Sequence, residues 1–186
     1  AGFLILKRKN YSLAICMLLT FHCMLRISEA LNLKVRDLEA TSSNTLVLHL
    51  GFTKGGKRRG ETESVEASDP SALEFLRWLC VNKEPGDSVF ELNYTQFRSS
   101  FHALVQVFGL NDFGLKSHSL RRGGTTFEFR GHGSYDLICQ RGRWSNPRTA
   151  RLYITESIEM TQALTYPKRA IELMSKYEDA YEQLVK

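Results

Sequence analysis

The order of hydrophobic and polar positions along the chain predicts mainly helices. Residues 12–33 are apolar on nearly all sides, which is typical of a helix buried on most of its surface, and a break is expected near residues 22–26. Further helices are expected over residues 70–80, 95–108 and 135–140, and in segments that begin at residues 118 and 147. Beyond Pro167 the tail has one apolar helical face, formed by Ala170, Leu173, Met174, Tyr177, Tyr181 and Leu184.

Three of these helices begin at recognisable start signals. In the pairs Asp69-Pro70 and Asn146-Pro147, a residue that can cap a helix precedes a proline at the first helical position. Ser117 is expected to cap the helix that follows it in the same way.

One window between the helices favours β-structure. Residues 45–52 are rich in strand-forming side chains, and a return strand is expected over residues 61–66. The segment Lys54-Gly55-Gly56-Lys57 is interpreted as a hairpin turn, because paired glycines permit positive φ angles. The whole pattern therefore predicts a mostly helical α+β domain with a small antiparallel β-hairpin.

Composition adds a basic character to this picture. The 186 residues suffice for one domain with its own core, and 42% hydrophobic against 24% charged residues is typical of globular proteins. The formal net charge of +5 favours an acidic partner such as nucleic acid or a membrane surface. Most clustered basic residues are arginines, whose planar guanidinium suits bidentate contacts with phosphate. The clusters are Lys54, Lys57, Arg58 and Arg59, then Arg121 and Arg122, then Arg141, Arg143, Arg148 and Arg151.

Other features of the sequence bear on the location of the protein in the cell. Its four cysteines form no C-x-x-C pair and lie beside apolar residues, which favours reduced, buried thiols. The apolar run over residues 13–25 is too short to span a membrane, and no signal peptide is recognisable. An intracellular protein is expected, in the cytoplasm of a prokaryote or the nucleus of a eukaryote. The abrupt start at Ala1-Gly2 suggests a fragment of a longer protein.

Two pairs of polar residues have a spacing that brings their side chains together on a helix. Arg26 and Glu29 are three residues apart, as are His118 and Arg121, and such neighbours lie about 5–6 Å apart between Cβ atoms. Either pair alone could be a contact on a helix surface. The surroundings of Arg26 and Glu29 are apolar, however, and a charged pair in an apolar stretch usually has a purpose beyond stability.

In this order, and with an aromatic pair near the end of the chain, these residues resemble the tyrosine recombinases, also called the phage integrase family. Arg26-Ile27-Ser28-Glu29-Ala30-Leu31 resembles the family's first box, and His118-Ser119-Leu120-Arg121 resembles its second. Trp144 lies nine residues before Tyr153, as the family's His-or-Trp position precedes its nucleophile. Tryptophan there is more similar to Cre recombinase than to the bacterial Xer type, which has histidine. Lys54 falls where the family has its β-hairpin lysine.

The resemblance extends over residues 12–155, with residues 156–186 as a C-terminal helical tail. The helical, DNA-clamping domain that normally precedes the catalytic domain is not expected within these residues. Arg122 stands where many members have histidine, and Met24-Leu25 replaces a glycine that often precedes the first box.

The resemblance implies a catalytic-domain fold with a β-hairpin or a three-stranded antiparallel sheet, and a defined reaction. The phenol of Tyr153 would attack a DNA phosphodiester, form a 3′-phosphotyrosine and expel a 5′-hydroxyl. Arg26 and Arg121 would stabilise the charge that builds on the phosphate oxygens. His118 would accept the phenol proton, and Lys54 would protonate the leaving oxygen.

Two further roles complete the implied site. Trp144 would donate its indole N–H to the phosphate, since indole donates only. Glu29 would orient Arg26 or His118 from behind. No ATP is needed because the covalent link conserves the bond energy, and no metal is expected because the sequence has no ligand cluster.

The implied partner is double-stranded DNA, bound by a homotetramer that the C-terminal tail would link together, with no membrane involved. Packing of the apolar tail face on its own domain is the alternative. Candidate contacts with the DNA backbone are Lys57, Arg58, Arg59, Arg122, Arg143 and Arg148. A solvated surface position is the alternative for Arg58, Arg59, Arg143 and Arg148.

Three alternatives stay open. A type IB topoisomerase uses a related domain and the same covalent step, and would relax supercoiled DNA without joining two sites. A relative that binds DNA without cleaving it is disfavoured, because every position of the implied catalytic set holds a competent side chain. A purely structural helical domain would make all four motifs coincidental. The DNA target and the direction of the reaction are not encoded in any feature of the sequence that we recognise.

Overall fold

The structure is a computed structural model that describes residues 11–42, 44–163 and 165–185, with the backbone alone for residues 58, 59, 156–163 and 177–185. Nine α-helices are present in that part of the chain: α1 (Tyr11–His22), α2 (Ile27–Leu31), α3 (Lys54–Arg59), α4 (Pro70–Cys80), α5 (Tyr94–Val107), α6 (His118–His132), α7 (Tyr135–Gly142), α8 (Pro147–Ala163) and α9 (Lys168–Val185). The strands are β1 (Leu38–Ala40), β2 (Leu46–Gly51) and β3 (Glu63–Ala67). They form one antiparallel sheet in the order β1-β2-β3. The mostly helical α+β prediction, with a small antiparallel sheet, is confirmed.

The break expected in the first apolar segment is present, and it shapes the site. Helix α1 ends at His22 and α2 begins at Ile27. Between them Met24 has a φ of 47°, a left-handed conformation that L-residues rarely adopt and glycine adopts freely. Met24 thus occupies, in a strained conformation, the turn where the family often has glycine. Arg26 consequently lies at the N-cap of α2 rather than within a long helix.

Strands β2 and β3 lie close to the two predicted strands, whereas the position of β1 was not predicted and the connection between β2 and β3 differs from the prediction. The expected hairpin turn over residues 54–57 is wrong, because Lys54–Arg59 form the short helix α3. Thr53 caps this helix by accepting a hydrogen bond from the Gly56 N–H at 3.1 Å. Gly56 is required for close approach rather than for positive φ, since a Cβ there would lie 2.3 Å from the Glu61 backbone oxygen.

The other helix starts are mostly confirmed. Asp69 accepts a hydrogen bond from the Ala72 N–H at 2.8 Å, and Asn146 accepts one from the Arg148 N–H at 2.9 Å. The expectation for Ser117 is wrong: it stands before α6, but its backbone is already helical and its side chain makes no capping bond.

The main core lies between α1, α2, α4, α5 and one face of the sheet. Its fully buried members include Ile15, Leu19, Leu25, Leu48, Leu76 and Phe97. Helix α6 packs closely on α1, because a Cβ at Gly124 would lie 1.9 Å from the Phe21 backbone oxygen. This approach brings the first turn of α6 beside the strained turn at Met24.

The four cysteines are unpaired, as the sequence suggested. Cys16 and Cys23 are buried, and burial raises the pKa of both thiols to about 12, so they stay protonated. Cys80 and Cys139 are only half-buried. Within the described ranges, none of the helices is both long and apolar enough to cross a membrane.

Candidate active site

Side chains from four separated parts of the chain converge beside the α1–α2 turn. Arg26 and Glu29 come from the start of α2, and His118 and Arg121 from the first turn of α6. Tyr153 comes from α8, and Trp144 from the loop that precedes it. The two pairs of polar residues and the aromatic pair that the sequence indicated therefore lie close together in the folded protein. The contacts between them define the geometry of one site.

Arg121 forms the floor of the site. Its residue is only 1% exposed, and its guanidinium donates hydrogen bonds to the backbone oxygens of Met24 and Gly142, the latter at 2.6 Å. Its Nη1 lies 3.8 Å from Glu29 Oε2, and its Cζ lies 4.5 Å from the centroid of the Trp144 ring. Bonds on both sides and a stacked ring fix this guanidinium in one orientation.

The charge of Arg121 survives its burial. Burial, followed by the nearby charges of Arg143 and Arg26, lowers the pKa of Arg121 to about 9, and Glu29 opposes this shift. The guanidinium therefore remains protonated at neutral pH. The floor of the site is therefore positively charged.

Tyr153 lies directly against His118 at the more open end of the site. The Tyr153 hydroxyl and His118 Nε2 are 3.1 Å apart, within hydrogen-bond distance. The Tyr153 ring centroid lies 5.7 Å from that of Trp144, and Arg122 Cζ lies 5.6 Å from it on another side. Gly142 makes room for the indole, because a Cβ there would lie 1.8 Å from the Trp144 ring.

His118 is tuned towards its neutral form. Partial burial lowers the pKa of His118 below its usual 6.5, and the positive charges of Arg121, Arg122 and Arg26 lower it further. A neutral imidazole can accept a proton, so at pH 7 His118 is competent to act as a base towards the Tyr153 hydroxyl.

Glu29 holds Arg26. The sequence had left open whether it would orient Arg26 or His118. Glu29 Oε1 accepts a hydrogen bond from Arg26 Nη1 at 2.5 Å, and Glu29 Oε2 accepts one from the Arg26 backbone N–H at 2.7 Å. The Arg26 side chain is 33% exposed, in contrast to the buried Arg121. Arg26 is therefore the cation of the pair that stays accessible to a ligand.

Lys54 lies at the edge of the site. It is exposed at the first position of α3, and with Arg26, Glu29 and His49 it lines an open cleft of about 190 Å³. It makes no direct contact with the Tyr153–His118 pair among the contacts of the described residues. The cleft links the lysine to Arg26.

The other expected DNA contacts have different surroundings. Lys57 and Arg148 are exposed, and Arg122 is half-buried over the Tyr153 ring. The side chains of Arg58 and Arg59 lie outside the described part of the structure. In the described residues no group of three His, Cys, Asp or Glu side chains is placed to hold a metal ion.

Residues 4–160 match the sequence profile of the Phage integrase family. The chain belongs to this family. No curated protein sequence matches it. Among solved structures, the integrase fold is shared with the XerH site-specific recombinase in a post-cleavage complex with palindromic difH substrate. That match has a TM-score of 0.65 and 15% identity, and covers 83% of this chain and 46% of XerH.

Two further solved structures share the fold of this integrase-family chain. The XerA recombinase has a TM-score of 0.62 at 14% identity, over 92% of this chain and 58% of XerA. The Tn1549 transposon integrase, in complex with transposon right end DNA, has a TM-score of 0.62 at 10% identity, over 95% of this chain and 62% of the integrase. The chain thus spans about half to three fifths of these recombinases, whose catalytic-domain fold it has.

One arginine of this integrase-family domain, Arg143, has a buried side chain where the sequence predicted a surface position. Arg143 was expected to contact the DNA backbone, but its side chain is only 6% exposed and points into the protein. Its Nη2 donates to Glu29 Oε2 at 2.6 Å, and its Nε donates to Glu63 Oε2 at 3.1 Å. Glu63 was not singled out, although the alternation along β3 puts it on the buried face with Val65 and Ala67. An acidic residue at an inward position of a strand was the signal.

Proposed function

We propose that the chain is the catalytic domain of a site-specific DNA recombinase that cleaves and rejoins DNA through a 3′-phosphotyrosine on Tyr153. One observation carries the proposal: the Tyr153 hydroxyl lies 3.1 Å from a base, His118, beside a cluster of guanidinium groups. A nucleophile held by a base and surrounded by cations suits attack on a phosphodiester. In this proposal residues 12–155 are the catalytic core and residues 156–186 the tail.

The proposed cleavage step involves one bond exchange at phosphorus and two proton transfers. The Tyr153 oxygen forms a bond with phosphorus while the bond from phosphorus to the 5′-oxygen breaks. The phenol proton passes to His118 Nε2, and the leaving 5′-oxygen takes a proton from Lys54 on α3. Rejoining is the reverse step, with a 5′-hydroxyl as the nucleophile and the Tyr153 phenolate as the leaving group.

The two catalytic arginines have different parts in this proposal. Arg26, whose side chain is 33% exposed, would bind the non-bridging phosphate oxygens directly. Arg121, held rigidly in the floor, would stabilise their growing charge with a guanidinium that needs no reorganisation during the reaction. Trp144 would add its indole N–H as a donor to the phosphate. The specific likeness of Trp144 to Cre recombinase stays a prediction from the sequence.

Double-stranded DNA is the proposed partner. Lys57, Arg122 and Arg148 would contact its backbone, and the same role for Arg58 and Arg59 stays a prediction from the sequence. We assign Arg143 a role inside the protein instead, since its side chain faces two carboxylates. A DNA substrate also accords with the expected intracellular location, in a prokaryotic cytoplasm or a eukaryotic nucleus.

A suicide substrate tests the proposed function. The protein would be incubated with nicked DNA of candidate sites, so that the cleaved fragment diffuses away and any covalent adduct accumulates. We expect an adduct on a denaturing gel, and joining of two sites in a two-site plasmid. Relaxation of supercoils without joining would favour a topoisomerase. Tight binding without an adduct on any bound DNA would favour an inactive relative.

Cleavage should also report the state of His118. Because its neutral form accepts the phenol proton, protonation removes the base, so the rate is lost as the pH falls. Partial burial and neighbouring arginines keep the pKa of His118 below 6.5, so the rate at subsaturating DNA should be level near pH 7 and decline only in more acid solution. Single-turnover cleavage at several pH values measures this profile. A rate that already falls between pH 8 and 7 would contradict a neutral His118.

The tail is the proposed link between copies of the protein on DNA. Helix α9 starts on its own domain, where Ala170 is fully buried and Met174 borders an apolar cavity of about 240 Å³. The rest of the predicted apolar face, at Tyr177, Tyr181 and Leu184, lies outside the described side chains. We propose that the end of α9 docks on a neighbouring copy. Removing residues 177–186 should then dissociate a tetramer on DNA, as measured by light scattering, and an unchanged tetramer would rule the proposal out.

A further inference from the structure

We propose that Arg143 and Glu63 are positioning residues that tie the arginine end of the site to helix α3, and so fix the position of Lys54. This inference rests on the proposed function for the part that Lys54 plays in the reaction. The link itself is a property of the folded protein and can be tested without DNA.

The link is an unbroken series of hydrogen bonds. Arg26 binds Glu29, and Glu29 Oε2 accepts from Arg143 Nη2 at 2.6 Å. Arg143 Nε donates to Glu63 Oε2 at 3.1 Å, and the same oxygen accepts from the Thr53 hydroxyl at 2.6 Å. Thr53 is the N-cap of α3, and its hydroxyl accepts from the Gly56 N–H at 3.1 Å. Every step from the phosphate-binding arginine to the first turn of α3 is thus a direct contact.

Three charged side chains of this series are buried, so each depends on its partners. The side chains of Arg143, Glu29 and Glu63 are 6%, 8% and 5% exposed. Buried charges are tolerated when they are paired, and losing one partner leaves the other uncompensated. Arg143 is the cation shared by the two carboxylates, so its removal disturbs both ends of the link.

Both the backbone conformation and the burial of Arg143 are energetically unfavourable. It follows the end of α7 with a φ of 58°, a left-handed conformation that favours glycine. Its Nη1 is buried without a hydrogen-bond partner. A strained backbone and an unsatisfied buried donor are tolerated mainly where surrounding structure or function requires the side chain. Here the requirement is the pair of carboxylates that it bridges.

Lys54 depends on the far end of the link. It is the first residue of a six-residue helix that also contains Gly55 and Gly56, and glycines make a helix easy to unwind. Such a short helix needs its cap, and the cap hydroxyl of Thr53 is held by Glu63. Without Glu63 as acceptor, the first turn of α3 and the lysine on it lose their fixed position.

The test uses three variants. Arg143→Gly removes the side chain and relieves the backbone, Glu63→Ala removes the acceptor that holds Thr53, and Arg143→Lys keeps the charge while losing the planar fork. Glu66→Ala is the matched control, since Glu66 lies on the same strand but on its exposed face. The control should behave as wild type throughout.

The first measurement is amide hydrogen exchange in the free, full chain. The Gly56 amide donates to the Thr53 hydroxyl, and the Lys57 amide donates to the Thr53 backbone oxygen. Both should exchange at least about tenfold faster in Arg143→Gly and Glu63→Ala, because both bonds depend on a fixed Thr53. Unchanged exchange there in folded variants would overturn the inference. Should Arg143→Gly fail to fold, Arg143→Lys and Glu63→Ala carry the same test.

The second measurement compares two DNAs. On ordinary DNA, cleavage by the variants should fall on the order of 100-fold, the loss expected from displacing a catalytic group by about 1 Å. DNA with sulfur in place of the leaving 5′-oxygen has a leaving group that needs no proton, so it should restore most of the rate, as it should for Lys54→Ala. No restoration would mean that the link acts on the arginines alone, and would overturn the coupling to Lys54. A wild type without any adduct, alongside faster exchange in the variants, would refute the proposed function and leave the link intact.

Discussion

The Tyr153→Phe variant is expected to form no covalent adduct with nicked DNA, a loss of at least about 10⁴-fold, as for removal of other enzymic nucleophiles. The substitution deletes only the hydroxyl that lies 3.1 Å from His118 Nε2. The ring keeps its contacts with Trp144 and Arg122, so folding and DNA binding should be unchanged. A denaturing gel of suicide-substrate reactions measures the adduct, and a mobility-shift assay measures the binding.

Tyr166→Phe is the matched control for this variant. Tyr166 is 41% exposed and stacks on Phe113 with ring centroids 6.0 Å apart, away from the histidine. It should retain the wild-type adduct. An adduct that persists in Tyr153→Phe and disappears in Tyr166→Phe would reassign the nucleophile, and with it the site.

Arg121→Ala is expected to lose both stability and activity. The substitution leaves the backbone oxygens of Met24 and Gly142 without their buried donor and removes a charge that faces Glu29. Breaking a buried charge cluster of this kind costs about 3–5 kcal/mol in the free energy of unfolding. For a domain of this size the melting temperature should fall by roughly 6–20 °C. Thermal unfolding followed by circular dichroism measures the change.

Arg26→Ala separates the catalytic part of this effect from the structural part. The Arg26 side chain is 33% exposed, and Glu29 keeps Arg143 as a partner, so the free energy of unfolding should change by no more than about 1 kcal/mol. Adduct formation should still fall by about 10²–10³-fold, through loss of a direct phosphate contact. An Arg121→Ala protein as stable as Arg26→Ala would contradict the assignment of Arg121 to the floor of the site.

Short-range interactions explain which parts of the fold were predictable. The helix starts at Asp69 and Asn146 depend on a side chain that caps a backbone N–H two or three residues away, and both are present. The break after α1 was also expected, but the left-handed turn at Met24 that forms it is not one that a methionine predicts. Local pattern failed at α3, where glycines that permit a turn also permit a capped helix. The cap there is held by Glu63, ten residues away.

For the site, the sequence by itself determined which side chains were candidates: Arg26, Glu29, His118, Arg121, Trp144 and Tyr153 stand at spacings that a family resemblance makes recognisable. Only the tertiary structure decided how they differ. Arg26 and Arg121 have similar sequence signals, yet one is accessible and the other is buried beneath Trp144. Arg143 has the signal of a surface cation, yet it bridges carboxylates that lie 80 and 114 residues away in sequence. Burial and pairing depend on contacts between distant segments, and no local pattern of residue types specifies them.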